Sequence, residues 1–216
     1  MSKKIKLLAL LLGGMIMMSG LSGCRYLGER KFADLEKVYP TQNAYDLFKV
    51  FPKGFRILNT QEFDEKTIYY LSLEGNASAQ SISGELEITE DNQKVEQVEV
   101  EVKKTGELIA NKPLSEKYQN FLDKFQFLFQ FLDLSQKRLR TFKITNTWDN
   151  ANGDYIRFYK INDVKVANYL ETGGQELSLG VQGNTNDDKE RNYSRIVDIG
   201  WNNKNIREFI FDKGEK

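Results

Sequence analysis

The segment Val98-Glu99-Val100-Glu101-Val102-Lys103 alternates apolar and charged side chains without a break. Successive side chains of a strand point to opposite faces, so this hexapeptide demands a sheet with one dry face and one acidic, wet face. A helix cannot sort it. Upstream, Gln80 to Thr89 repeats the pattern, with Ile82, Leu86 and Ile88 on one side and Glu85 and Glu87 on the other. Glu90-Asp91-Asn92-Gln93 between them reads as a turn, and the whole as an antiparallel hairpin. Thr67 to Leu73 adds a strand rich in β-formers (Ile68, Tyr69, Tyr70, Leu71). In the C-terminal third, strands are expected at Arg140–Trp148, Tyr155–Ile161, Glu176–Gln182, Tyr193–Trp201 and Ile206–Phe211. Asn150-Ala151-Asn152-Gly153 turns the first pair, and Asp163–Tyr169 forms a short helix or turn. Runs of strands in no regular βαβ order predict antiparallel sheets with helices on a face.

Helical periodicity is confined to two regions. From Phe32 to Val50, apolar positions recur at helical spacing, and Pro40 divides the segment into two short helices, with Thr41 as the second N-cap. Pro52 and Gly54 end it. Gly106 to Pro113 is a connection. A longer helix is expected from Glu116 to about Asp133, capped by Ser115 and carrying Tyr118, Phe121, Phe125, Phe127, Phe129 and Phe131. Its apolar side chains cover more than half the circumference, as in a central helix packed on a sheet. The alternative is a helix lining an apolar groove for a lipid or peptide, with Phe121, Phe125 and Phe129 as pocket residues. The fold class expected is therefore α+β: antiparallel sheet(s), a central Phe-rich helix and short N-terminal helices, in a single domain over residues 32–216.

The N-terminus has a different character. Lys3, Lys4 and Lys6 precede a twelve-residue apolar stretch, Leu7 to Met18. As a helix that stretch rises about 18 Å, short of the roughly 30 Å of a bilayer's hydrocarbon core. It fits the apolar region of a signal peptide instead. It ends in Leu21-Ser22-Gly23-Cys24, which resembles the bacterial lipobox. The resemblance implies cleavage between Gly23 and Cys24 and a diacylglyceryl group on the Cys24 sulfur. Residues 1–23 are then a removed signal, and residues 24–31 a lipidated cysteine and short tether. Two acyl chains hold a protein on a membrane firmly, at about 0.8 kcal/mol per buried methylene. The expected location is the extracytoplasmic face of the cell membrane.

Residue types exclude much chemistry. The 216 residues contain no His and one Cys, so a Ser-His-Asp triad, a Cys-His dyad, an intramolecular disulfide and a Cys/His zinc site are all closed off. Lys and Arg number 31, as do Asp and Glu. Loss of the three signal lysines leaves 28 basic against 31 acidic groups, which argues against nucleic acid as a partner. The Asn184-Thr185-Asn186-Asp187-Asp188 loop fails the EF-hand pattern, having Lys189 and Arg195 where Gly and Glu are required. It reads as a solvated hairpin loop. Glu85/Glu87 and Glu99/Glu101 fall on exposed strand faces rather than in a predicted cleft. Neither enzymatic activity nor a metal or other cofactor is expected.

The segment Tyr39-Pro40-Thr41-Gln42-Asn43-Ala44-Tyr45-Asp46-Leu47-Phe48, followed by Gly54-Phe55-Arg56 and Glu62-Phe63, resembles the opening of staphylococcal tandem-type lipoproteins. The similarity extends through Lys112-Pro113-Leu114 and Tyr159-Lys160-Ile161-Asn162-Asp163. Ile68 stands where that family usually has Trp, and Glu96 to Glu101 is more acidic, as in a diverged member. The resemblance implies a Gram-positive surface lipoprotein that contacts a protein partner, such as one from a host, and has no catalytic role.

Overall fold

The computed structural model describes residues 30–190 and 192–213. Ten strands form one sheet in the order β5-β4-β3-β2-β1-β10-β9-β8-β7-β6, every neighbour antiparallel. The first five are β1 (Phe55–Glu62), β2 (Thr67–Asn76), β3 (Ser81–Glu90), β4 (Gln93–Val102) and β5 (Leu108–Ala110). The second five are β6 (Lys143–Asp149), β7 (Asp154–Ile161), β8 (Leu177–Asn184), β9 (Ser194–Trp201) and β10 (Lys204–Asp212). The chain enters at the centre and winds out by hairpins to one edge. It then crosses to the opposite edge and winds back until β10 closes against β1.

The expected strands are present, with shifted ends, and two more join them. Residues Phe55–Glu62 and Leu108–Ala110 are strands that the sequence pattern does not announce. The β3–β4 turn is tight because Asp91 and Asn92 both take positive φ, 47° and 63°, the geometry of a two-residue hairpin loop.

The helical expectations need more correction. Over Phe32–Val50 the chain forms two 3-10 turns (Ala33–Lys37 and Ala44–Asp46) and a single α-turn, Leu47–Val50. The second turn is capped by Asn43, whose side chain accepts from Tyr45 N at 3.0 Å, and not by Thr41. Thr185–Glu190 is a short helix and not a loop; the Asn184 side chain accepts from Asn186 N at 2.7 Å and satisfies a donor at its start.

The single Phe-rich helix is absent. Glu116–Lys124, Leu128–Phe131 and Gln136–Leu139 are separate helices, with Phe125 and Phe127 in extended conformation between the first two. The crossover from β5 to β6 spans nine strand spacings, about 43 Å in a flat sheet. A continuous helix from Glu116 to Asp133 would advance only about 27 Å. Interleaving extended residues with helical turns gives the segment more reach. Ser115 occupies the N-cap position of the first helix, but its hydroxyl pairs with Glu96 instead of capping it.

The crossover and the N-terminal turns cover one face of the sheet and share one core with its inward side chains. Phe55, Ile57, Leu71, Leu86, Val197 and Ile210 are among the strand residues buried there. Gly75 makes room for Phe55: a Cβ at Gly75 would lie 2.5 Å from the Phe55 ring. Among the described residues no helix is long and apolar enough to cross a membrane.

Candidate functional site

At the centre of the inward face sits a carboxylate. Glu208 shares strand parity with Ile206 and Ile210 and is fully buried. Its Oε1 accepts from Tyr39 Oη at 2.9 Å and from Phe129 N at 3.2 Å. Its Oε2 accepts from Leu128 N at 3.0 Å and from Asn59 Nδ2 at 3.1 Å. A polar chain feeds this acceptor. Gln126 N donates to Tyr169 Oη (3.2 Å), Tyr169 Oη to Gln61 Oε1 (3.1 Å), and Gln61 Nε2 to Asn59 Oδ1 (3.0 Å).

Glu208 explains why the Phe-rich segment breaks where it does. Helix N-termini leave backbone N–H groups without partners, and a carboxylate satisfies them. Leu128 and Phe129 open the second helix with their N–H groups on Glu208, so helix Glu116–Lys124 cannot run through them. Burial pushes the Glu208 carboxyl up from 4.5 to about 7, against the pull of its four donors. Burial and the neighbouring Glu208 hold the Tyr39 phenol well above its ordinary value. No described cation pairs with Glu208, and its surroundings are filled by core residues. The hub organises the fold.

The three candidate pocket residues separate. Phe129 is fully buried, its ring stacked on Phe127 at 4.7 Å. Phe121 stacks on Tyr69 at 3.9 Å and borders a small cleft of about 260 Å³ with Tyr169, Lys117 and Lys124. Phe125, half-buried and edge-on to Phe127, borders a larger open cleft of about 730 Å³. One wall of that cleft is Gln119, Leu122, Asp123, Phe125, Gln126 and Gln130; the other is β5 with the residues either side of it. The aromatic groove therefore shrinks to one half-exposed Phe, and the larger cleft has a sheet edge as its second wall.

That edge was not legible as a site, since Leu108-Ile109-Ala110 is too short for a period-two signal. Backbone geometry shows its chemistry. Lys103 N donates to Glu107 O (2.8 Å) and Asn111 N to Glu99 O (2.9 Å), so Glu107, Ile109 and Asn111 turn their backbone groups toward β4. Leu108 and Ala110 then point their N–H and C=O groups away from β4, toward the cleft. Among the described residues no strand lies beyond β5.

Leu21, Ser22, Gly23 and Cys24 lie outside the described residues. Asp187, in the Asn/Asp-rich segment, belongs to the Thr185–Glu190 helix, and no described group of three Asp, Glu, Cys or His side chains converges as a metal site would. Glu85 and Glu99 are directly paired across β3 and β4 on the outer face, and among the described residues both are hydrogen-bonded only to amides, from Gln97 and Asn111. Comparison of the chain with known protein families and with curated proteins finds no match.

Proposed function

We propose that the protein is a bacterial lipoprotein anchored to the extracytoplasmic face of a cell membrane, a non-enzymatic domain held there for contact with other proteins. The observation that carries this is Leu21-Ser22-Gly23-Cys24 placed directly after a cationic start and a twelve-residue apolar stretch. The single cysteine of the chain stands at the position a lipobox requires, and the resemblance to staphylococcal tandem-type lipoproteins points the same way. The absence of histidine supports a binding role over a catalytic one. Phe32 is already buried in the core, so the seven residues Arg25 to Lys31 are all that separate it from Cys24. Extended backbone spans at most about 3.6 Å per residue, and the domain would sit close to the bilayer.

The experiment is expression in a Gram-positive host with labelled palmitate. The mature protein should begin at Cys24, carry two acyl chains there and sediment with membranes. Cys24→Ala should abolish labelling and either release the protein or leave the precursor uncut. A Cys24→Ala protein that is cut and still sediments with membranes overturns the proposal.

A second reading has its own support. The cleft of about 730 Å³ bordered by Phe125 falls within the size range of ligand sites, which suits a lipoprotein that captures a peptide or a lipid beside the Phe-rich segment.

A further inference from the structure

We infer that the β5 edge is a docking strand for an extended, cationic peptide whose side chains alternate apolar and basic. This deepens the second reading above and rests on the cleft being a binding site. Three features converge on it. Leu108 and Ala110 offer two backbone donors and two acceptors along an open edge, the arrangement that recruits an added strand. Their side chains are on the inward face, with Leu122 and Phe125 across the cleft. A strand laid against β5 would therefore direct its residues opposite Leu108 and Ala110 toward Leu122 and Phe125, the apolar part of a wall that also carries Gln119, Asp123, Gln126 and Gln130.

The residue between them, opposite Ile109, would point to the other face, beside a cleft whose charged lining residues are all acidic. A second cleft of about 570 Å³ lies there, lined by Ile109, Asn111, Glu85, Glu99 and Glu101. Glu85 and Glu99 are directly cross-strand, an arrangement in which like charges repel. Lys103 pairs with Glu101, but no described Lys or Arg pairs with Glu85 or Glu99. A basic side chain from the docked strand would supply the missing counter-charge. Strand addition gives the affinity through the main chain, and the two faces of β5 set the alternation of the ligand.

The probe is an amidated, fluorescein-labelled peptide of about seven residues, a common strand length, alternating valine and lysine. It is titrated by anisotropy against the full-length chain in neutral detergent micelles. Saturable binding is expected, with the valine–glutamate counterpart at least about tenfold weaker. Two further peptides carry methyl groups on alternate backbone nitrogens, in opposite frames. One frame should lose binding at least about tenfold, the scale of one to two edge hydrogen bonds, and the other should keep it. Ala110→Pro, which removes an outward N–H without touching the ladder to β4, should weaken the parent peptide similarly. The proposal is overturned if the parent does not bind, if the glutamate peptide binds as well, or if both methylated frames bind like the parent. The methylated peptides need no variant, so a failure of Ala110→Pro to fold leaves the decision intact. Acylation of Cys24 is read independently, and neither result decides the other.

Discussion

Tyr39 donates its phenolic hydrogen to Glu208 Oε1 at 2.9 Å, joining residues 169 positions apart at the centre of the core. The first N-terminal turn thereby docks on the strand that closes the sheet. Tyr39→Phe keeps the ring and deletes the donor. A hydrogen bond to a charged buried group is worth about 1.5–3 kcal/mol, and the loss should be of that size at pH 8. At pH 5 the Glu208 carboxyl is protonated and the loss should be smaller. Urea unfolding of both proteins at the two pH values checks this; an equal loss at both would show that the hydroxyl's contribution does not depend on the charge of Glu208.

The titration of Glu208 has its own signature. Its folded value lies near 7, above the ordinary 4.5, so the folded state holds the proton more tightly than the unfolded state. The stabilisation linked to that proton is complete below about pH 4.5 and disappears as pH rises through 7. Glu208→Gln does not titrate, which isolates the effect from every other carboxylate. Across pH 4 to 8 the stability of the native protein relative to Glu208→Gln should fall by about 3 kcal/mol, because a tenfold difference in proton affinity is worth about 1.4 kcal/mol. A flat difference would mean that the four donors fully offset burial.

Much of the sheet was legible, and the reasons for the exceptions are physical. Alternation located β3 and β4 because their faces differ sharply in polarity. The pattern fails in β1, where Asn59 and Gln61 occupy inward positions beside Phe55 and Ile57. They are inward because they relay hydrogen bonds to Glu208. Glu208 itself carried a signal: it shares parity with Ile206 and Ile210, so an acid falls on a face that is otherwise apolar. The break in the Phe-rich segment carried none. Phe125 to Phe129 fits helical spacing, and what interrupts it is a carboxylate 80 positions away from Leu128. The β5 edge was hidden because only three residues pair there.

Gly75 tests the packing of the central strands. A methyl group there would meet the Phe55 ring at 2.5 Å, and that ring is fully buried among Phe48 and Phe51. Gly75→Ala should destabilise the protein by about 1–3 kcal/mol, the usual cost of overpacking. Phe55→Leu in the same chain frees the space, so the double variant should lose less than the two single losses added together. Additive losses in thermal unfolding would place the strain elsewhere.

The strand pairing between β3 and β4 depends on a backbone that few residues adopt. Asp91 and Asn92 both have positive φ, and Asn tolerates that region because its short side chain bonds locally. A β-branched residue does not. Asn92→Val should therefore cost about 1–2 kcal/mol, the penalty for a bulky left-handed residue, whereas Asn92→Gly should be close to neutral. The effect should be local as well as global. Hydrogen exchange should speed most at the turn end of the hairpin, where Thr89 pairs with Lys94 and Glu90 with Gln93. It should change least at Leu86 and Val98, whose side chains are locked in the core. Uniform acceleration across both strands would instead mean that the turn sets the stability of the entire sheet half.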